Sequence, residues 1–141
     1  MSVAELHQHA TRIRKAIESD PPQAIGSAKE LLETTLKAVL GEGNYDPGDD
    51  IPALLKKARS KLGLDPKDVD PTLVGAETIR RTLSNLGQVV VGVAEIRNVH
   101  GTGHGRVNSR ELEVAHARLV VNAAITLATY LLDMWRGITG K

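Results

Sequence analysis

Apolar residues recur along this chain at steps of three and four, the period of an amphipathic helix. Leu6, Ala10, Ile13 and Ile17 mark one face of a first helix, Val3 to Glu18. "SDPPQ" then punctuates the chain. Asp20 suits an N-cap, Pro21 the first helical position, and Gln23 completes a capping-box pattern. A second helix runs to Leu40 on the stripe Ala24, Ala28, Leu31, Thr35 and Val39, widened by Leu32, Leu36 and Leu40. So broad an apolar face predicts a central helix. "GEGNYDPGDD" reads as a loop. A short third helix, Ile51 to Leu62, turns Lys56, Lys57, Arg59 and Lys61 to solvent and closes at Gly63. A second irregular segment, "LDPKDVDPTLVG", follows. These two segments are where variable or disordered structure is expected.

The fourth helix begins near Gly75 on the stripe Ile79, Leu83, Leu86, Val90 and Val93. Continued at the same steps, that stripe meets Arg97, His100 and His104. Gly101, Gly103 and Gly105 oppose a helix there, since each costs ~1 kcal/mol in a helix interior. The helix is therefore expected to end between Val99 and Gly101, leaving His104 on a tight loop. Asn108 and Glu111 fit a capping box for a fifth helix, with the stripe Leu112, His116, Leu119, Ala123, Leu127, Tyr130 and Met134. Strand signals are poor. The one β-branched run, "VVVGVAEI", lies inside the fourth helical period. The fold class is all-α: a bundle of about five helices, the fourth and fifth forming an antiparallel hairpin.

Length and charge narrow the function. The chain has 141 residues, one ordinary domain expected over 1–141. There is no cysteine, so disulfides, thiolate zinc sites and cysteine nucleophiles are excluded. Net charge is +1, with no overall basic footprint for nucleic acid, although a local arginine cleft can suffice. Tyr45, Tyr130 and Trp135 are the only aromatic residues, which disfavours reading RNA by stacking. The N-terminus lacks a signal-peptide core, and no run approaches the roughly 18 apolar residues of a membrane span. The uncharged stretch Leu119 to Leu132 reads as a buried helix. A cytoplasmic protein without a membrane partner is expected.

The stretch that carries chemistry is "EIRNVHGTGHGR", Glu95 to Arg106. An arginine ending an apolar stripe needs an anion, which a carboxylate such as Glu95 or Glu111 supplies as well as a phosphate does. His104, flanked by glycines, is open to approach and titrates near neutrality. Together the two fit metal-free cleavage of RNA by its own 2′-hydroxyl. Histidine moves a proton, and arginine holds charge on the non-bridging oxygens. Asn98 orients substrate or ties the loop. Gly103 and Gly105 let backbone approach a phosphate, with Arg106 beside them. His100 and His104 have the spacing of a helical metal pair, but the glycines oppose a helix and a third ligand is missing. "GTGHGR" lacks the Gly-Lys-Ser/Thr ending of a phosphate-binding loop. No metal or cofactor is expected. His7 and His9 are read as surface residues, His116 as a core or interface residue, and Lys56 to Lys61 as a solvated face with an RNA patch as the minority alternative.

An Arg, a polar residue, a spacer and a His at the end of a helix resemble the HEPN signature R-x(4–6)-H, with six residues between Arg97 and His104. "IRNVHGTGHGR", with the flanking "AIGSAKELLETTLKAVL" and "ARLVVNAAITLATYLLD", is similar to the C-terminal domain of abortive-infection proteins, from about Asp20 to Trp135. The resemblance implies a metal-independent endoribonuclease in phage defence or a toxin–antitoxin system, with Arg97 and His104 as catalytic pair and Asn98 accessory. His100 matches nothing essential and is kept as auxiliary. It further implies a homodimer that joins two motifs in one cleft, an RNA substrate, and a cognate antitoxin or upstream sensor domain as partner. Residues 1–19 would then be a remnant of, or replacement for, an upstream domain, in a stand-alone form or a fragment. The alternative function is a non-catalytic dimerisation, nucleotide-binding or toxin-partner module.

Overall fold

The computed structural model describes residues 1–101 and 110–140; for residues 90, 93, 94, 96–101 and 110–112 it describes the backbone alone. Among the described residues there are five α-helices and no strand: α1 (Val3–Ala16), α2 (Pro21–Leu40), α3 (Ile51–Leu62), α4 (Ala76–Gly101) and α5 (Arg110–Thr139). A 3₁₀ turn, Pro66–Asp68, gives the second irregular segment local order.

Side chains start the first three helices by accepting from backbone N–H groups that have no partner inside the helix. Glu5 N donates to Ser2 Oγ at 3.1 Å, Gln23 N to Asp20 Oδ1 at 3.3 Å, and Ala53 N to Asp50 Oδ1 at 3.0 Å. Proline occupies the first turn of α2 and of α3, where no N–H is needed. The box expected at Gln23 forms by halves. The Asp20 N–H donates to Ala16 O at 2.9 Å, so it is already engaged by the end of α1. α1 stops at Ala16, short of the expected Glu18, because Ile17 N turns back to Arg14 O in a tighter step. Gly63 ends α3 at φ 69°, a left-handed conformation in which glycine carries no Cβ penalty.

α2 lies at the centre. It packs on α1, α3, α4 and α5, and most extensively on α5. All eight residues of its expected stripe are buried. Thr35, the polar member, is 0% exposed and satisfies its hydroxyl by donating to Leu31 O at 2.8 Å. α1 buries Leu6, Ala10 and Ile13, with Ile17 just beyond its end, as its spacing requires.

α5 corrects the sequence reading. Its buried face is Ala117, Val120, Val121, Ala124, Ile125, Leu127, Ala128, Leu131 and Leu132. The expected stripe through His116, Leu119 and Tyr130 is rotated from it. His116 is exposed, not a core residue, and Leu119 is 61% exposed. From Leu119 to Leu132 the helix carries no charge, so several stripes fit its sequence. Contact with α2 selects the one rich in alanine, because small side chains let two helices approach closely. The segment Glu113–Thr139 is long and apolar enough to cross a membrane by composition. In this structure it supplies much of the bundle core.

The lysine-rich face of α3 is also not simply solvated. Lys61 Nζ donates to Val39 O at 2.7 Å and Leu40 O at 3.1 Å, capping the carbonyl end of α2. Lys57 pairs with Asp49, whose carboxylate also accepts from Asp46 N at 2.9 Å, which ties down the 41–50 loop. Arg59 pairs with Asp65 at 3.7 Å and reaches under α4, where a Cβ on Gly87 would approach its Nη1 to 3.3 Å. Its Nε is buried without a hydrogen-bond partner among the described residues.

Two outcomes test this packing. Leu131→Ala, at a fully buried site that the expected stripe omits, should cost about 2–5 kcal/mol. Ile138→Ala, on the exposed end of α5, should stay within about 0.5 kcal/mol. Chemical denaturation measures both. The Lys57 hydrogen bond holds the Asp49 carboxyl below its ordinary pKa, so its contribution is present above the unfolded carboxylate pKa. That contribution is lost as pH falls through the lowered value. Asp49→Asn should therefore melt lower than the parent at pH 7, and the difference should close in strong acid.

Candidate functional site

α4 is helical over 26 described residues to Gly101, and the expected end of the helix borders residues outside the described ones. Arg97, Asn98 and His100 thus lie in its last turn and a half. Their side chains lie outside the described residues, as do Gly103, His104, Gly105, Arg106 and Asn108 entirely. What the structure does supply is the register. Position 97 follows Leu83 by fourteen residues and Leu86 by eleven on an unbroken helix, which returns it to the same side within about 40° at 100° per residue.

That side of α4 is only partly covered. Leu83 is buried and Leu86 half-buried, while Ile79 and Val89 are each 40% exposed. Against Leu83, Leu86 and Val89 stand Leu119, Ala123 and Tyr130 of α5. Between the two helices runs an apolar groove of about 450 Å³, with Thr82, Asn122 and Thr126 at its margins. The residues placed on the α5 stripe from the sequence are thus a real face. Leu119, Ala123 and Tyr130 line this groove, and Leu127 reaches from it into the core. Apolar side chains this exposed and this close together mark an interaction surface more often than isolated ones do.

A different group of residues escaped the sequence reading. Arg14 and Lys15 of α1 meet Arg118 and Asn122 of α5 across a cleft of about 380 Å³. Arg14 Nε donates to Asn122 Oδ1 at 3.1 Å, and Arg118 pairs with Glu18 at 3.5 Å. The available signal was the run "RIRK" at the end of the amphipathic first helix. Its partner Arg118 lies 103 residues past Lys15, so only the folded chain joins them. His9 and His7 are exposed, as expected, and His9 Nδ1 accepts from Arg12 Nη2 at 2.7 Å.

A family model described as a HEPN-like domain (Abi_C) matches residues 4–135. The matched region takes in α1, whose apolar face is part of the core, as well as α2 to α5. No curated protein and no solved structure matches the chain.

Proposed function

The chain belongs to the HEPN-like (Abi_C) domain family, and on that basis we propose that it is a metal-independent endoribonuclease. One observation carries the reading. α4, which carries Arg97 and Asn98, has a register that turns position 97 toward the side of a half-covered apolar groove. A second copy seated on that groove would bury Ile79, Val89, Leu119 and Tyr130 and bring two α4 ends to one shared cleft. Arg97 and His104 would face the RNA backbone there, with Asn98 and His100 beside them. Gly103, Gly105 and Arg106 would lie against phosphate.

In this reaction the 2′-oxygen attacks the adjacent phosphorus while its proton passes to a base. The bond from phosphorus to the 5′-oxygen breaks, and that oxygen leaves with a proton. His104 is the group suited to proton transfer near neutral pH. Arg97 offers a planar fork of donors to the two non-bridging oxygens as their charge grows. The products are a 2′,3′-cyclic phosphate and a 5′-hydroxyl. RNA as substrate suits a cytoplasmic role in phage defence, or as the toxin of a toxin–antitoxin pair with a cognate antitoxin or upstream sensor as its partner.

A second reading is a non-catalytic dimerising, nucleotide-binding or toxin-partner module. The near-neutral charge and scarce aromatics favour it. Arg97 would then pair with a carboxylate such as Glu95 or Glu111.

Incubation of the protein with RNA in EDTA separates the two. The nuclease reading expects cleavage with cyclic-phosphate ends, and a loss of at least a hundredfold in Arg97→Ala and in His104→Ala with little change in melting temperature. Unchanged cleavage in both variants sinks it. Absence of cleavage, joined to a large drop in melting temperature for Arg97→Ala, supports the structural pair.

A further inference from the structure

We propose that the α1–α5 cleft, formed by Arg14, Lys15, Arg118 and Asn122, is a binding track for the phosphates of single-stranded RNA. The inference rests on the nuclease reading for its choice of polyanion; the cleft itself is argued from geometry. Three cations border it against one carboxylate, Glu18. The Glu18–Arg118 pair is long, at 3.5 Å, and its side chains are 81% and 51% exposed, so it holds Arg118 only weakly. A phosphate can displace such a partner at small cost.

Arg14 is the better-prepared group. Asn122 accepts from its Nε, which fixes the guanidinium across the gap between the helices. Its guanidinium keeps two terminal nitrogens beside that bond, and a planar pair of N–H groups is the geometry that grips two phosphate oxygens at once. Lys15 supplies a mobile point charge one residue on, without an ion-pair partner among the described residues.

The competing basic surface is already engaged. On α3, Lys57, Arg59 and Lys61 are committed to Asp49, Asp65 and the α2 carbonyls. Seven acidic residues against five basic ones fall between 41 and 75, so that stretch is net negative and disfavours a polyanion. The α1–α5 cleft is spared that field.

Position also favours the cleft. Arg118 lies eight residues into α5 from Arg110, about 12 Å along the axis. That length corresponds to about three phosphates of a stacked strand. A strand held at Arg118 is thus within a few nucleotides of the end of α5 that adjoins the motif segment in sequence. The near absence of aromatic residues fits a track that holds backbone rather than bases.

The test uses the full chain and a fluorescein-labelled single-stranded 2′-O-methyl RNA, which cannot undergo 2′-oxygen attack. Anisotropy is followed over a series of salt concentrations. The triple variant Arg14→Gln/Lys15→Gln/Arg118→Gln should bind at least tenfold more weakly at low salt. Its plot of log affinity against log salt should flatten by about 2, three contacts at about 0.7 each. Asn122→Ala, which removes no charge, should weaken binding several-fold with the slope kept. A control, Lys29→Gln/Lys56→Gln/Lys67→Gln, removes the same net charge elsewhere and should leave affinity within twofold.

Equal losses in the two triple variants, or an unchanged slope in the cleft variant, overturn the track. Circular dichroism melting of each variant identifies any loss due to unfolding, and the single variant Arg118→Gln, at an exposed site, then decides by the same slope. If cleavage occurs but the slope is unchanged, the track fails and the nuclease reading stands. If the slope falls but no RNA is cut, the track stands and the nuclease reading fails. A wild-type protein that does not bind the probe refutes the track outright.

Discussion

The contact between α2 and α5 is the constraint on which the rest of the structure depends. Both helices are long and apolar, and they meet through small residues, with Ala24 and Ala28 on one and Ala117, Ala124 and Ala128 on the other. Close approach of two helix axes fixes which face of α5 is core. Once Leu131 and Leu132 turn inward, Leu119 and Tyr130 have nowhere to go but the side where α4 lies. α4 covers that side incompletely, since among its residues with described side chains only Ala76 and Leu83 are buried. The apolar groove thus follows from the packing of two other helices.

The same constraint links the groove to the motif. α4 is carried by contacts near its start: Leu83 in the core, and Arg59 passing beneath Gly87. Beyond them the helix runs on without a break to Gly101, bearing the register of its first half to position 97. In the proposed account a partner completes what the single chain leaves open, and the chemistry sits at the edge of that completion. The basic cleft on the far side of Leu119's turn, between α1 and α5, would then hold the strand that enters.

Much of this architecture was legible in the sequence. The stripe of α1 is narrow, the broad one of α2 is bounded by Glu30, Glu33 and Lys37, and the caps of both are strong, so period alone marks the buried faces. Asp20, Asp50 and Gly63 end or begin helices through local hydrogen bonds and backbone freedom, which neighbouring residues encode. α5 was misread for a definite reason. In "ARLVVNAAITLATYLLD" almost every position tolerates burial, so periodicity does not choose among faces, and the larger residues drew the stripe toward Leu119 and Tyr130. Lys57, Arg59 and Lys61 were misread because a lysine-rich helix face looks solvated until distant partners arrive. The 41–50 loop and the carbonyl end of α2 are such partners. The pairing of Arg14 with Asn122 spans 108 positions and could not be seen at all.

The candidate site was visible as residue types in a spacing, Arg97 and His104, and the fold adds the helix on which position 97 lies. The central claim is that the apolar groove and the motif form one functional unit across two copies of the chain. Its most direct measurement is Leu119→Glu, examined by light scattering, melting and RNA cleavage in a single preparation. The expected result is a folded monomer, with a melting temperature near that of the parent measured as a monomer at high dilution, that no longer cuts RNA. A variant that remains dimeric, or a monomer that cuts as fast as the parent, would contradict it.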